Sequence, residues 1–294
     1  MPALTGRENA PRGVTADGSR VLFTTGHTQV GENALREATV DGDSSRILAV
    51  TPGGLAPNGQ LALAGGDIYV AAGSAIVRTS AGGSDAVTVV GNRPAGVSDV
   101  VVAGDDLWWT TYQYGAPARI EVARMPRSGG PVEVLAVDVA GGLGRPYPEG
   151  SSALLASPIG VLRVQAGSPP EVVASAGVLG GAVTRMAVGQ RAPLRHHRRG
   201  QAPAALRPAP RRRVLGAGRG RGHRGDIAVV GNQVVFFAAR SGPSGHSELR
   251  SVAATGGQVR NVASGRYAHG DLAVVTGDRV VLSADDRVWI ASVR

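Results

Sequence analysis

Along most of the chain, short apolar runs alternate with tight polar turns, and one phrase recurs. It is an apolar strand, a Gly or Asp turn, and a second apolar strand that opens on a large residue. The phrase reads GVTADGSRVLFTT from Gly13, LALAGGDIYVAA from Leu61, VVVAGDDLWWTT from Val100, AVVGNQVVFFAA from Ala228 and AVVTGDRVVLSA from Ala273. β-Branched and aromatic residues flanking a tight turn predict a hairpin in each copy.

After each hairpin comes an apolar residue followed by Arg: Leu35-Arg36, Val77-Arg78, Ala123-Arg124, Leu162-Arg163 and Leu249-Arg250. A Gly turn and a last strand complete the unit, and these last strands read RILAV, AVTVV, PVEVLA, PEVVA and QVRNVA. The unit is four strands, A to D, and a repeat of this size made only of strands predicts a propeller blade.

The first apolar residue of strand B falls at Val21, Ile68, Leu107, Val234 and Val280, with gaps of 47, 39, 127 and 46 residues. The gap of 127 spans three periods, so two further blades are expected in the poorly matching stretches around 151–177 and 184–225. The expected fold is all-β: a β-propeller of seven blades, with six as the alternative count. One domain covers 1–294.

The opening ALTGRENAPRGVTADGSRVLF aligns without gaps on VASGRYAHGDLAVVTGDRVVL from Val262. Ala3 to Thr5 therefore reads as a strand D lying before the first strand A, while the chain stops at Arg294 just after a strand C. The N-terminal strand is expected beside Val288 to Ser292, closing the ring and removing an open edge.

Composition narrows the chemistry. The 44 Gly and 18 Pro exceed ordinary usage and fit many turns. With no Cys, disulfides, Cys-ligated zinc and cysteine nucleophiles are excluded. The chain also contains no Lys, which excludes a P-loop and a Schiff base. Neither G-x-S-x-G nor H-E-x-x-H occurs. No apolar run is long enough to span a bilayer, and the opening residues lack the pattern of a signal peptide.

The net charge of +9 points to nucleic acid until the charge is located. Residues 190–224 hold 11 Arg and no acid, and the other 20 basic residues face 22 acidic ones. The basicity is local. In this aberrant segment 29 of 35 residues are Arg, Ala, Pro, Gly or His, and the repeat vanishes until Asp226. It stands where part of blade five belongs. Three readings apply: a frameshift or decayed blade, a genuine loop, or an arm that binds nucleic acid through its arginines. Its GRGHRG precedes a strand, not a helix, so it is not read as a phosphate loop.

The strings DLWWTT, DIYVAA and RVLFTT, followed by an apolar-Arg strand and a GG turn, resemble the YWTD-type and NHL-like propellers common among bacterial exported proteins. The resemblance covers nearly the whole chain outside 190–224, although no blade carries the full YWTD string. It implies a propeller that binds other molecules, and a fold by itself does not give a function.

The pairs Asp41 with Asp43, Asp105-Asp106 and Asp285-Asp286 sit in expected turns. Trp108-Trp109 reads as packing. One constellation remains: B-to-C loops and D-to-A connections lie on the same end of a propeller, and His27, His246 and His269 map there. Tyr267 shares a connection with His269, and Arg12 lies in the equivalent connection into blade one. Loop histidines are ordinarily solvated, so no metal and no cofactor is expected.

The leading expectation is a monomeric, non-catalytic scaffold presenting this loop face to a protein, peptide or glycan. The alternatives are a propeller lyase or hydrolase centred on the histidines, and nucleic-acid binding through the Arg-rich segment.

Overall fold

The computed structural model describes residues 11–25, 34–42, 44–50, 57–83, 86–91, 93, 95–113, 119–136, 145–179, 185–188, 214–217, 227–239, 247–253, 258–265, 272–274, 278–284 and 287–293. Its strands form antiparallel meanders in which each strand pairs with the next. Sheet I contains β1 (Arg12–Asp17), β2 (Arg20–Thr25), β3 (Ala34–Thr39) and β4 (Ser45–Val50). Sheet II contains β5 (Pro57–Ala64), β6 (Asp67–Ala72), β7 (Ala75–Ser80) and β8 (Val87–Val90). Sheet III contains β9 (Gly96–Ala103), β10 (Asp106–Gln113), β11 (Arg119–Pro126) and β12 (Glu133–Ala136).

Sheet IV contains β13 (Tyr147–Glu149), β14 (Ser152–Ser157), β15 (Gly160–Gln165) and β16 (Glu171–Ser175), followed by the short helix α1 (Ala176–Leu179). Sheet V is the pair β17 (Arg185–Val188) and β18 (Val214–Ala217). Sheet VI contains β19 (Ile227–Val230), β20 (Gln233–Ala239), β21 (Ser247–Ala253) and β22 (Arg260–Gly265). Sheet VII contains β23 (Leu272–Val274), β24 (Arg279–Ala284) and β25 (Arg287–Ser292). Five of these sheets are complete four-stranded blades.

The A–B hairpins form because their two-residue turns begin with Gly18, Gly65, Gly104 and Gly231, at φ of 60°, 59°, 60° and 56°. Primed turns need that backbone, and it matches the twist of the strands. The C–D pairing of every complete blade carries one bulge, with Leu48, Val89, Leu135, Val173 and Val262 as the extra residue on strand D. The bulge falls opposite the apolar-Arg stretch and adds local twist.

Alternation along strand B sends successive side chains to opposite neighbours. In sheet I, Leu22 packs with Ile68 and Val70 of sheet II, while Val21 and Phe23 pack with Val281, Val288 and Ile290 of sheet VII. Tyr69 joins Leu107 and Trp109 of sheet III, and Trp108 joins Ala153 and Leu155 of sheet IV. Val235 of sheet VI meets Val280 and Leu282 of sheet VII. The core is thus a set of layers between sheets.

First strands neighbour one another, β1 with β5, β5 with β9, β17 and β23 with β19, and β23 with β1. Sheets III and IV meet through β12 and β15, and sheets IV and V through β14 and β17, so each sheet touches the next around a closed succession. This is the architecture of a β-propeller. β18 falls within residues 190–224, at Val-Leu-Gly-Ala, inside the longest stretch there free of Arg and Pro. Residues 3–5, read from the sequence as the closing strand, lie outside the described residues, as do 189–213 and 218–226.

Candidate functional site

The end of the ring formed by B–C turns and D–A connections is the face singled out by the sequence. His27, His246, His269 and Tyr267 lie outside the described residues. Arg12 opens β1, with its backbone opposite Thr24 at the loop end of β2.

The described part of this face is clearest between sheets II and III. The connection into sheet III lies on the B–C turn of sheet II, with Arg93 N donating to Ser74 O at 3.1 Å and Val97 N to Gly73 O at 2.8 Å. The Arg93 guanidinium then pairs with Glu121 of β11. Below this pair, Ser98 and Thr110 share a hydroxyl hydrogen bond of 2.7 Å, and Asp99 of β9 is buried. Neither Arg93 nor Glu121 belongs to the repeated hairpin phrase, so periodicity did not single them out.

Among the described residues no three His, Asp or Glu side chains gather as metal ligands. No described helix is long and apolar enough to cross a membrane.

Several strand-C arginines of the repeat have structural partners. Arg124 Nε donates to Glu133 Oε2 at 2.6 Å, and its guanidinium lies 5.2 Å over the Trp108 ring. Arg163 Nη1 donates to Glu171 Oε2 at 2.9 Å, and Arg250 Nη2 lies 2.6 Å from Glu248 Oε2. Arg36 Nη1 donates to Ser45 Oγ at 2.8 Å.

The opposite end holds a tighter network. Buried Glu37 of β3 accepts from Arg20, and from Arg46 Nε at 2.8 Å. Arg20 Nη2 also donates to Ala81 O of sheet II at 2.6 Å, tying two blades together. Burial pushes the Glu37 carboxyl up, but the hydrogen bonds and positive charges of Arg20 and Arg46 outweigh it and hold the group below its usual 4.5.

A groove of about 490 Å³ opens beside this network on the outer rim. Arg46, Ile47, Leu48, Ala49 and Val50 of β4 form one wall, and Gly82, Gly83 and Ala86 of the turn between β7 and β8 form the other. The run RILAV marked β4 only as an outer strand. That a GG turn of the next blade would stand opposite it depends on how the blades pack.

No protein-family model and no curated protein sequence matches the chain. Solved structures do. YCF48 bound to D1 peptide superposes with a TM-score of 0.62 at 12% identity, covering 99% of this chain and 94% of that one. A gluconolactonase from Xanthomonas campestris gives 0.55 at 15% identity, covering 99% and 89%. Puromycin hydrolase gives 0.59 at 14%, and this chain spans about half, 51%, of its length. At such identities the likeness concerns architecture, and together with the closed succession of blades it shows that this chain is a β-propeller.

Proposed function

We propose that this chain is a non-catalytic binding propeller of seven blades that presents its loop face to a protein, peptide or glycan. Sheets V and VII then count as blades five and seven, and residues 3–5 close the ring as the outer strand of blade seven. Residues 190–224 replace part of blade five.

The observation that carries the reading is the use made of charge. Glu37, Glu121, Glu133, Glu171 and Glu248 each pair with an arginine within or between blades. Glu37 with Arg20 and Glu121 with Arg93 join separate elements and fix the scaffold, which leaves the turns at its end to provide specificity. The likeness to YCF48, solved with a peptide and covered over nearly its whole length, supports a peptide as the class of ligand.

A second reading is an enzyme on the same face, with His27, His246, His269, Tyr267 and Arg12 around its centre. The likeness to a gluconolactonase over 89% of that chain favours it. The test is a peptide-display and glycan-array screen of the purified chain, with Arg12→Ala and His246→Ala as loop-face variants. Ligands whose capture both variants abolish support the binding reading. Zinc-dependent lactone hydrolysis, lost in His27→Ala, would replace it with the enzyme.

A further inference from the structure

The rim groove is a second surface, away from the loop face. We propose that it seats an extended peptide segment carrying apolar side chains and a carboxylate, the apolar groups against Ile47 and Val50 and the carboxylate beside Arg46.

Five consecutive residues of β4 line the groove. The bulge at Leu48 interrupts strict alternation here, and a cavity touching all five residues runs along the strand. β4 is the last strand of sheet I in the hydrogen-bonded order. An extended occupant matches that shape, about 16 Å for five residues at roughly 3.3 Å each.

The wall has an apolar and a cationic character. Ile47 is 49% and Val50 51% exposed, whereas Leu48 and Ala49 between them are buried in the layer with sheet II. Two β-branched side chains left half in water on one edge are contact area for a partner. Arg46 is 65% exposed while it pairs with Glu37, which it shares with Arg20. Two guanidinium groups about a single carboxylate leave the cluster one positive charge in excess, the sign that attracts an acidic peptide.

The facing wall is small. A Cβ added at Gly83 would stand 3.2 Å from Leu48 O, at a φ of +86°, whereas one at Gly82 would meet only Ser80 Oγ, at 3.9 Å. Glycine at these positions keeps the groove open, and Gly82 has room for a side chain that would fill it.

The test uses the full chain and a short fluorescein-labelled peptide of alternating valine and glutamate, with the lysine counterpart as control. By anisotropy at low salt, the glutamate peptide should bind at least about tenfold more tightly, with the preference shrinking as salt rises. Gly82→Phe should weaken binding about tenfold while the melting temperature stays put, as for other surface substitutions. Ile47→Asn serves as a second variant should Gly82→Phe disturb the turn. Arg12→Ala should leave this binding unchanged, which separates the groove from the loop face. Equal binding of the two peptides, no binding, or indifference to both groove variants would overturn the proposal. So would sedimentation showing a dimer that Gly82→Phe dissolves, since the occupant would then be a second copy of the chain.

Discussion

Strand B of sheet I and strand B of sheet III occupy the same place in the repeat and fill it with different volumes. Leu22 of sheet I meets Ile68 and Val70 of sheet II, side chains of similar size. Trp108 of sheet III meets Ala153 and Leu155 of sheet IV. Where the forward-facing residue is a tryptophan, the first apolar residue of the receiving strand is alanine, Ala153. Where it is leucine, that residue is isoleucine, Ile68. What recurs between blades is a filled layer, because interiors tolerate exchanges that keep the total volume and resist those that do not. The aromatic solution also brings polar atoms with it. Trp108 lies under Arg124, whereas the indole N–H of Trp109, fully buried, has no hydrogen-bond partner among the described residues.

The comparison is broken most severely by Trp108→Ala, which should cost about 3–5 kcal/mol in urea unfolding, against roughly 2–3 kcal/mol for Leu22→Ala. Equal losses would mean that ring volume is not what sets the two layers apart.

Glu37→Gln should cost about 2 kcal/mol, because it leaves Arg20 and Arg46 without the carboxylate they share, discounted for the exposure of Arg46. The folded carboxyl lies below its usual 4.5, so its contribution is present above that pH and is lost as pH falls through the folded value. The native chain should therefore lose more stability than Glu37→Gln as pH drops below 4.5, and parallel acid unfolding curves for the two would contradict the assignment.

Trp109→Phe should cost less than about 1 kcal/mol, since the lost ring area is offset by removal of a buried, unpaired N–H. A loss as large as that of Trp108→Ala would indicate that the indole nitrogen is hydrogen-bonded after all. Smallest of all, Arg163→Ala should change stability by roughly 0.5 kcal/mol or less, because its pair with Glu171 stands in water. A substantially larger loss would show that the repeated arginines stabilise the blades and do not merely decorate strand C.

The sequence by itself determined the local units. Hairpins at Gly18, Gly65, Gly104 and Gly231, and the apolar-Arg strands that follow them, were legible because a tight turn and a period of two are properties of adjacent residues. The two tryptophans could likewise be read as packing from strand alternation alone. Only the tertiary structure decided which neighbour each ring enters, that the extra residue of the C–D bulge is Leu48 or Leu135, and that Ala153 receives Trp108. It also brought Glu37 between Arg20 and Arg46, and set the Gly82–Gly83 turn across from β4 to form the rim groove. The physical reason is separation along the chain. Arg20 reaches Ala81 over 61 residues, and a contact of that kind exists only once the rotation between successive blades is fixed, which no local pattern of apolar and polar residues encodes.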